Sequence, residues 1–170
     1  FAKSEIKKIS RSFRKKIFHI NLSINSIQNE FLFSTKNNRI LFIGNLTYIP
    51  NLLAVKDFII NILPNLRKEI PNIEFYAIGN IKKTDKFLLS FYKNVYFLGQ
   101  QTNIKKYIKK SFCGLANLKI ATGVQGKVLT YMSYGLPVVC SKKVSSNFKN
   151  YVMDYSTDKD LIKKIIILNS

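Results

Sequence analysis

Residues 122–141 are the part of the sequence that limits the fold most narrowly. Thr122 and Gln125 have the spacing of a capping box, and apolar residues recur after them at helical intervals. Gly135 is placed to end that helix, and Pro137 prevents it from resuming. The apolar run around Pro137 indicates a buried strand. We therefore predict a capped helix of about three turns, a tight turn and a buried strand.

The start of this predicted helix has the features of an anion site. Gly123 and Gly126 leave backbone N–H groups open to approach, and Lys127 adds a positive charge just inside the helix. An ordinary crossover helix with glycines at a tight corner would show the same pattern. The spacing alone does not choose between the two.

The rest of the chain alternates apolar runs with amphipathic segments. Four runs predict buried strands, and the first three end in glycine: residues 40–44, 73–79, 95–99 and 112–118. Other segments predict helices: residues 51–63, which Pro64 would interrupt or bend, then 85–92, 103–110 and 157–168. We expect a short strand over residues 151–155, and Thr157 or Asp158 as the cap of the last helix.

This alternation predicts an α/β fold, a doubly wound, mostly parallel Rossmann-like sheet with helices on both faces. Ligands of such sheets bind beyond the carboxyl ends of the strands. Gly44, Gly79, Gly99 and the loop containing Gly123 would line that edge.

The charge of the chain indicates an anionic partner. The net charge is +19, and no carboxylate occurs between Asp85 and Asp154. That interval holds eleven lysines, which are Lys86, Lys93, Lys105, Lys106, Lys109, Lys110, Lys119, Lys127, Lys142, Lys143 and Lys149. A field of one sign suits a nucleotide, an anionic lipid surface or a nucleic acid, and equally a solvated lysine-rich surface.

Several classes of chemistry find little support in the composition. His19 is the only histidine, and Cys113 and Cys140 lie in apolar runs as expected of buried, reduced thiols. No apolar run reaches membrane-spanning length, and no signal-peptide pattern opens the chain. We therefore expect a cytoplasmic protein without a metal site, and the initial Phe1 favours a fragment or a processed chain.

Residues 39–160 resemble the C-terminal, donor-binding domain of retaining glycosyltransferases of the GT-B fold, family 4. The resemblance rests on segments in the expected order: residues 40–46 with 50–51 after them, 94–99, 104–107, 123–129 and 135–139. It implies three parts. Residues 1–27 would be the tail of the N-terminal acceptor domain, 28–38 the interdomain connection, and 39–170 a Rossmann-like donor domain that is truncated at its C-terminus.

The resemblance implies transfer of a sugar from a nucleotide-sugar donor, in cell-surface polysaccharide or glycolipid synthesis. The nucleotide base would lie near Leu98 and Gly99. The donor diphosphate would meet the loop after the first strand and the start of the 123–134 helix, at Gly44, Asn45, Gly123, Val124, Gln125 and Lys127. No residue is assigned a catalytic role. No cofactor or metal is expected, since protein groups would offset the charge of the leaving diphosphate.

Two positions depart from the family pattern. Thr130 stands where the family usually has the Glu that holds the donor ribose, and Thr122 stands where many members have a second Glu. A threonine hydroxyl offers no charged, bidentate contact. Losing the charged contact of the Glu to the ribose corresponds to about 1.5–3 kcal/mol of binding free energy, or roughly ten- to a hundredfold in donor affinity. The loop over residues 100–103 also lacks the Pro-Asp pair often found there.

Alternative functions stay open. The chain is either a glycosyltransferase, or its donor half with a missing N-terminal domain, or an inactive basic module that binds nucleotide or an anionic membrane surface. The inactive basic module, and a peripheral position at the inner face of the membrane, are suggested by four lysines on the 103–110 helix. These are Lys105, Lys106, Lys109 and Lys110. Nucleic acid is not expected, because Tyr107 falls on the apolar face. Other nucleotide-binding enzymes are disfavoured, because the loop after Gly44 lacks both Gly-rich phosphate patterns.

Overall fold

The computed structural model describes residues 36–170, which form one sheet of six parallel strands flanked by helices. The strands are β1 Arg39–Ile43, β2 Glu74–Ile78, β3 Val95–Phe97, β4 Cys113–Ala116, β5 Val138–Ser141 and β6 Met153–Tyr155. Their order is β3-β2-β1-β4-β5-β6, and every neighbouring pair is parallel. The predicted doubly wound fold is therefore confirmed.

Helices connect the strands and follow the last one. They are α1 Ile49–Asp57, a π-helical turn Phe58–Ile62, α2 Leu63–Glu69, α3 Lys83–Leu89, α4 Lys105–Ile108, α5 Gly126–Ser133, α6 Lys142–Ser145, the 3₁₀ turn Lys149–Tyr151 and α7 Asp158–Asn169. Thr157 caps α7, since its hydroxyl accepts from the Asp160 N–H at 3.2 Å, as predicted. Right-handed crossovers that run outward from β1 in both directions place helices on both faces of the sheet.

The winding direction changes between β1 and β4, and this change sets the position of the site. β1 pairs with β2 along all five of its residues, but with β4 only through Ile40 and Leu41. Beyond Leu41 the two central strands lack this pairing and carry the chain to opposite halves of the sheet. Ligands of open α/β sheets bind at such a switch point.

Tyr131 of α5 fills the gap between the two central strands. Its buried hydroxyl accepts from the Ile43 N–H at 2.7 Å and lies 3.2 Å from the Leu41 carbonyl oxygen. The ring packs against Gly114, where an added Cβ would come within 2.5 Å of it. Tyr131 therefore fixes α5 to the carboxyl ends of both strands, and burial raises the pKa of its hydroxyl.

The helix does not stop at Pro64 but changes from α-helical to π-helical geometry just before it. The helical backbone continues from Ile49 to Glu69, and the Leu63 N–H donates to the Phe58 carbonyl across the π turn. A proline in an α-helix has no N–H to donate and collides with the carbonyl four residues earlier. The wider turn just before Pro64 loosens that part of the helix, and the helix ends at Glu69, before Pro71.

The predicted capping box is wrong. Gln125, not Thr122, occupies the N-cap position of α5, and its side chain caps no N–H group of the helix. The helix has eight residues rather than about three turns. The Gln125 side chain donates instead to the Thr122 carbonyl oxygen at 3.0 Å. The other end of the helix agrees with the prediction. The Gly135 and Leu136 N–H groups donate back to the last turn of α5, and Gly135 has φ +67°.

The predicted lysine helix over residues 103–110 is also shorter than expected. Only the four residues of α4 are α-helical, and Ile108 is buried. Lys105 is half-buried rather than outward, and the Lys106 Nζ lies 4.9 Å from the centroid of the Tyr107 ring. The four lysines therefore do not form one uniform outward face.

The remaining predictions concern the N-terminal residues, the two cysteines and membrane-spanning helices. The predicted acceptor-domain tail over residues 1–27, with His19, and most of the 28–38 connection lie outside the described residues. Cys113 and Cys140 are free, buried thiols, as predicted. Burial raises the pKa of both thiols, for Cys140 to about 12. Within residues 36–170 no helix has both the length and the apolar character that a bilayer crossing requires.

Candidate functional site

The carboxyl ends of β1, β2 and β3 surround an open pocket of about 270 Å³. The Gly44 N–H donates to the Ile78 carbonyl at 2.8 Å, and the Gly79 N–H donates to the Gly99 carbonyl at 2.8 Å. The three predicted glycines therefore lie side by side at this edge. The residues that line the pocket are Ile43, Gly44, Asn45, Ile78, Gly79, Asn80, Gln100, Gln101 and Ile104.

Gly79 is required at this edge by both conformation and space. Its φ of +138° belongs to a region that side-chain-bearing residues rarely adopt. A Cβ at this position would overlap the backbone carbonyl of Gly44. The ends of β1 and β2 are thus closer together than any other residue at position 79 allows, and this close approach forms the floor of the pocket.

Asn45 turns the chain at the end of β1. Its Oδ1 accepts from the Thr47 N–H at 3.0 Å and from the Thr47 hydroxyl at 2.9 Å. The Leu46 N–H reaches across to the Asn80 carbonyl at 2.7 Å. Because its side-chain oxygen is engaged in its own turn, Asn45 presents mainly backbone to the pocket.

Asn51 joins this loop to α5. The buried Asn51 side chain donates from Nδ2 to the Asn45 carbonyl at 2.9 Å and accepts from the Lys127 Nζ at 2.6 Å. The two predicted phosphate elements, the loop after β1 and the start of α5, are therefore held together by one amide. The sequence pattern gave Asn51 no role, although it follows Pro50 in a segment that carries the family resemblance.

The side chain of Lys127 is half-buried, and its ammonium group has no compensating negative charge beside it. Its Nζ lies 4.3 Å from the centroid of the Phe42 ring, and within residues 36–170 no carboxylate forms an ion pair with it. Burial lowers the pKa of Lys127 from 10.5 to about 7. A ligand that brings negative charge to this ammonium would favour its protonated form.

The start of α5 offers further positive potential. The first N–H groups of a helix have no partner within the helix, and the Gln125 side chain does not cap them. At Gly126 an added Cβ would meet nothing within 4 Å, so this turn is open on one side. Uncapped N–H groups beside a lysine bind anions by hydrogen bonding and by the helix dipole.

The loop before α5 is held by contacts to the far half of the sheet. Gly123 has φ +63°, and its carbonyl accepts from the Asn147 Nδ2 at 2.9 Å. Val124 is half-buried and packs against the core. None of residues 123–130 lines the pocket at β1–β3. The structure thus links Lys127 to that pocket through Asn51, and shows no such link for Gly123 or Val124.

Thr130 lies one turn into α5, with its hydroxyl engaged. Its Oγ1 donates to the Gly126 carbonyl at 3.0 Å, an internal contact of the helix. The oxygen lone pairs stay able to accept one hydrogen bond, but the side chain brings no charge. The geometry is therefore consistent with a weakened contact at the position where the resemblance places ribose binding.

Gln101 rather than Leu98 presents a side chain at the β3 end of the pocket. Leu98 is half-buried and packs against the core, whereas Gln100 and Gln101 line the pocket. The Gln101 Nε2 donates to the Leu98 carbonyl at 2.7 Å, and its Oε1 accepts from the Tyr107 hydroxyl at 2.9 Å. The only signal for these glutamines in the sequence is their position directly after a strand that ends in glycine.

A metal-binding arrangement is not visible in the described part of the chain. Residues 36–170 contain no group of three or more His, Cys, Asp or Glu side chains that could hold a metal ion. The groups available for binding are backbone N–H groups, amide side chains and one half-buried ammonium. This set suits recognition of a phosphate-containing ligand.

Comparisons with known proteins agree with this architecture. Residues 37–168 match the family described as glycosyl transferases group 1. No curated protein matches the chain. Among solved structures, S. aureus TarM, crystallised with UDP and other ligands, is similar at a TM-score of 0.66 with 15% identity, over 94% of this chain and 35% of that one.

Two further solved structures show the same likeness. Anabaena HepE, in complex with UDP and glucose, is similar at a TM-score of 0.59 with 12% identity, over 98% of this chain and 42% of that one. WaaG, described as a glycosyltransferase involved in lipopolysaccharide biosynthesis, has a TM-score of 0.57 with 15% identity, over 81% and 39% of the two chains. The chain spans 35–42% of the length of these three proteins.

Proposed function

Because the chain belongs to the group 1 glycosyl transferases over residues 37–168, we propose that the carboxyl edge of its sheet binds the nucleoside diphosphate of a sugar donor. The resemblance seen in the sequence is confirmed for this family and for the GT-B donor-binding fold. Membership of family 4 and a retaining outcome stay predictions.

One observation carries the proposal, the half-buried ammonium of Lys127 beside the uncapped start of α5. It is held 2.6 Å from the Asn51 Oδ1 and has no carboxylate partner among residues 36–170. Keeping an unpaired cation in such a place opposes folding. A bound diphosphate would supply the missing negative charge and so compensate the unpaired ammonium.

The proposed ligand spans the two regions joined by Asn51. The diphosphate lies between the Asn45 loop and the start of α5, where Gly126 allows close approach. The base enters the pocket at the ends of β1–β3, next to Gly99 and Gln101. Backbone N–H groups and Lys127 offset the charge of the departing diphosphate, so that the reaction needs no metal ion.

The whole reaction requires more than the described sheet. We propose that residues 39–170 are the donor half, that residues 28–38 form the connection, and that an N-terminal acceptor domain, whose tail would be residues 1–27, completes the enzyme. Relatives in the solved structures bind UDP or take part in lipopolysaccharide biosynthesis. They support transfer of a sugar to a cell-surface polysaccharide or glycolipid, at the cytoplasmic side of the membrane.

Calorimetric titration of the 170-residue chain with UDP, GDP and ADP tests the donor site. We expect one of the three, with UDP as the first choice, to bind at one site per chain. Inorganic pyrophosphate should bind more weakly, since it lacks the base and the ribose. A folded chain that gives no heat with all three nucleotides would remove the proposal.

A second function is supported by Thr130. Its uncharged hydroxyl donates to the Gly126 carbonyl, so that the chain could bind a nucleotide through the diphosphate and hold the ribose poorly. In that case the chain is an inactive nucleotide-binding module. Release of UDP from UDP-glucose, measured with the full-length gene product and an acceptor extract, separates the two functions, because the inactive module binds UDP without turnover.

A further inference from the structure

An exposed apolar surface lies on the flank of the sheet, away from the proposed nucleotide site. It consists of Phe87 and Leu88 of α3 and Phe91 just after that helix, which are 64%, 60% and 72% exposed. The Phe87 and Phe91 rings meet edge to face with centroids 5.1 Å apart. We call these three residues the aromatic flank. Contiguous exposed apolar residues with a polar rim are a feature of interaction surfaces.

Lysines surround the aromatic flank. Four of them are exposed: Lys82, Lys83, Lys86 and Lys93. The only carboxylate between residues 80 and 94 is Asp85, whose Oδ1 lies 2.7 Å from the Lys56 Nζ. The positive charge around the flank is therefore not offset by a free carboxylate of the same segment.

The position of the flank leaves the nucleotide edge free. β2 ends at Ile78 beside the pocket, and α3 begins five residues later and runs back toward the opposite edge of the sheet. Phe91 follows the last turn of α3, so it lies at the end far from the pocket. A large partner on the flank would not need to cover the proposed donor site.

We propose that the aromatic flank docks the chain on an anionic lipid bilayer. Aromatic and leucine side chains bordered by lysines fit the boundary between acyl chains and negatively charged headgroups. Charge complementarity favours this partner over a neutral membrane or a second copy of a chain whose net charge is +19. The surface differs from the α4 lysines singled out in the sequence, and the proposal does not depend on nucleotide binding.

Tryptophan fluorescence can test the proposal at one position, because the chain contains no tryptophan. In Phe91→Trp, the emission should shift to the blue on addition of vesicles with 30% phosphatidylglycerol in phosphatidylcholine, and should not shift with phosphatidylcholine alone. Ile167→Trp, at an exposed position on α7, is the matched control and should show no shift. Equal shifts at both positions, or none at position 91, would overturn the proposal.

Sedimentation with the same vesicles separates the flank from general electrostatic attraction. Each lysine near a membrane contributes about fivefold in partitioning. Replacing Lys82, Lys83, Lys86 and Lys93 by Gln should therefore lower binding several hundredfold. The control removes the same charge elsewhere, by Gln at Lys109, Lys110, Lys142 and Lys143, and should lose less than about tenfold, since those lysines need not touch the bilayer. Equal losses would contradict docking through the flank.

The contribution of the aromatic side chains to vesicle binding is tested by a separate pair of double variants. Phe87→Ser with Phe91→Ser should remove the part of vesicle binding that persists in high salt, while Tyr151→Ser with Ile167→Ser should leave it unchanged. Sedimentation velocity without lipid tests the competing occupant. If the Phe87 and Phe91 changes convert a dimer into a monomer and leave vesicle binding intact, the flank is an interface between copies and the membrane proposal fails.

Discussion

The Lys127 Nζ lies 2.6 Å from the Oδ1 of Asn51, a residue 76 positions earlier in the chain. This single contact joins the first turn of α5 to the loop that follows β1, because Asn51 also holds the Asn45 carbonyl. The proposed diphosphate site is therefore a property of two distant segments and of the amide between them.

Replacing Lys127 by Met should weaken nucleoside diphosphate binding by about ten- to a hundredfold, the expected loss for one charged hydrogen bond of 1.5–3 kcal/mol. Methionine keeps much of the side-chain length beside Phe42 but cannot donate to a phosphate. Calorimetric titration gives the measurement. Lys68→Met, at an exposed position on α2, should bind like the unmodified chain. Equal affinity in both variants would show that Lys127 does not contact the ligand.

The stability of the folded chain should rise with pH above neutrality because of Lys127. Its folded-state pKa of about 7 lies below the ordinary 10.5, so above pH 7 the unfolded chain binds a proton that the native chain lacks. The free energy of unfolding then increases by at most about 1.4 kcal/mol per pH unit. Below pH 7 both states are protonated and this contribution is constant.

Urea unfolding at pH 6, 7, 8 and 8.5 measures this effect as the difference between the unmodified chain and Lys127→Met. The comparison is best confined to this window, because the raised thiol and phenol pKa values of Cys140 and Tyr155 lower stability at higher pH. Lys68→Met should follow the unmodified chain throughout. A difference between the unmodified chain and Lys127→Met that does not change with pH would mean that Lys127 keeps its ordinary pKa in the fold.

Replacing Tyr131 by Phe should lower the free energy of unfolding by about 1–3 kcal/mol, because the Ile43 N–H would be left buried without a partner. The ring against Gly114 stays in place, so the loss reports on the hydroxyl alone. The urea midpoint should fall with an unchanged slope. Tyr134→Phe, at a half-buried position directly after the same helix, is the control and should change stability by less than about 0.5 kcal/mol.

Replacing Gly79 by Ala should be severely destabilising, by roughly 3–5 kcal/mol, since backbone strain and overlap with the Gly44 carbonyl act together. Gly126→Ala is the matched substitution in open space at the start of α5, and should be neutral or stabilising by up to about 1 kcal/mol. Thermal unfolding of both variants decides the comparison. Similar losses in both would contradict the close approach of the β1 and β2 ends.

Replacing Thr130 by Glu should raise the affinity for the preferred nucleoside diphosphate by about ten- to a hundredfold, if the carboxylate meets the ribose hydroxyls as the family resemblance implies. Thr130→Gln has nearly the same size without the charge, and should give little of this gain. Titration with inorganic pyrophosphate, which has no ribose, should show no gain in affinity in either variant. A gain for pyrophosphate, or equal gains for Glu and Gln, would place Thr130 away from the ribose.

The features that the sequence predicted well are those encoded by local chemistry. Gly135 and Pro137 mark the end of α5 correctly, because a left-handed glycine and a proline restrict their own backbone whatever lies around them. The glycine-terminated runs around Gly44, Gly79 and Gly99 likewise predict buried parallel strands. The order of these elements then suffices for the doubly wound sheet.

The features that the sequence predicted poorly depend on contacts between distant residues. Thr122 is not the helix cap, and the loop after it is held by the Asn147 side chain, 24 positions away from Gly123. Lys127 contacts Asn51 and is partly withdrawn from solvent, which a charge count cannot show. Local spacing therefore located the proposed phosphate site, and tertiary packing decided which of its residues are joined.

The two buried thiols allow local opening of the sheet to be measured without any added probe group. Cys113 lies in the central strand β4 and Cys140 in the neighbouring strand β5, and both are shielded from solvent in the folded chain. A thiol reagent can reach them only when the strands separate, so the rate of alkylation at each position measures how often that part of the sheet exposes its interior. Mass spectrometry after short exposure would then compare the lifetime of the β4 region with that of β5, with and without nucleotide.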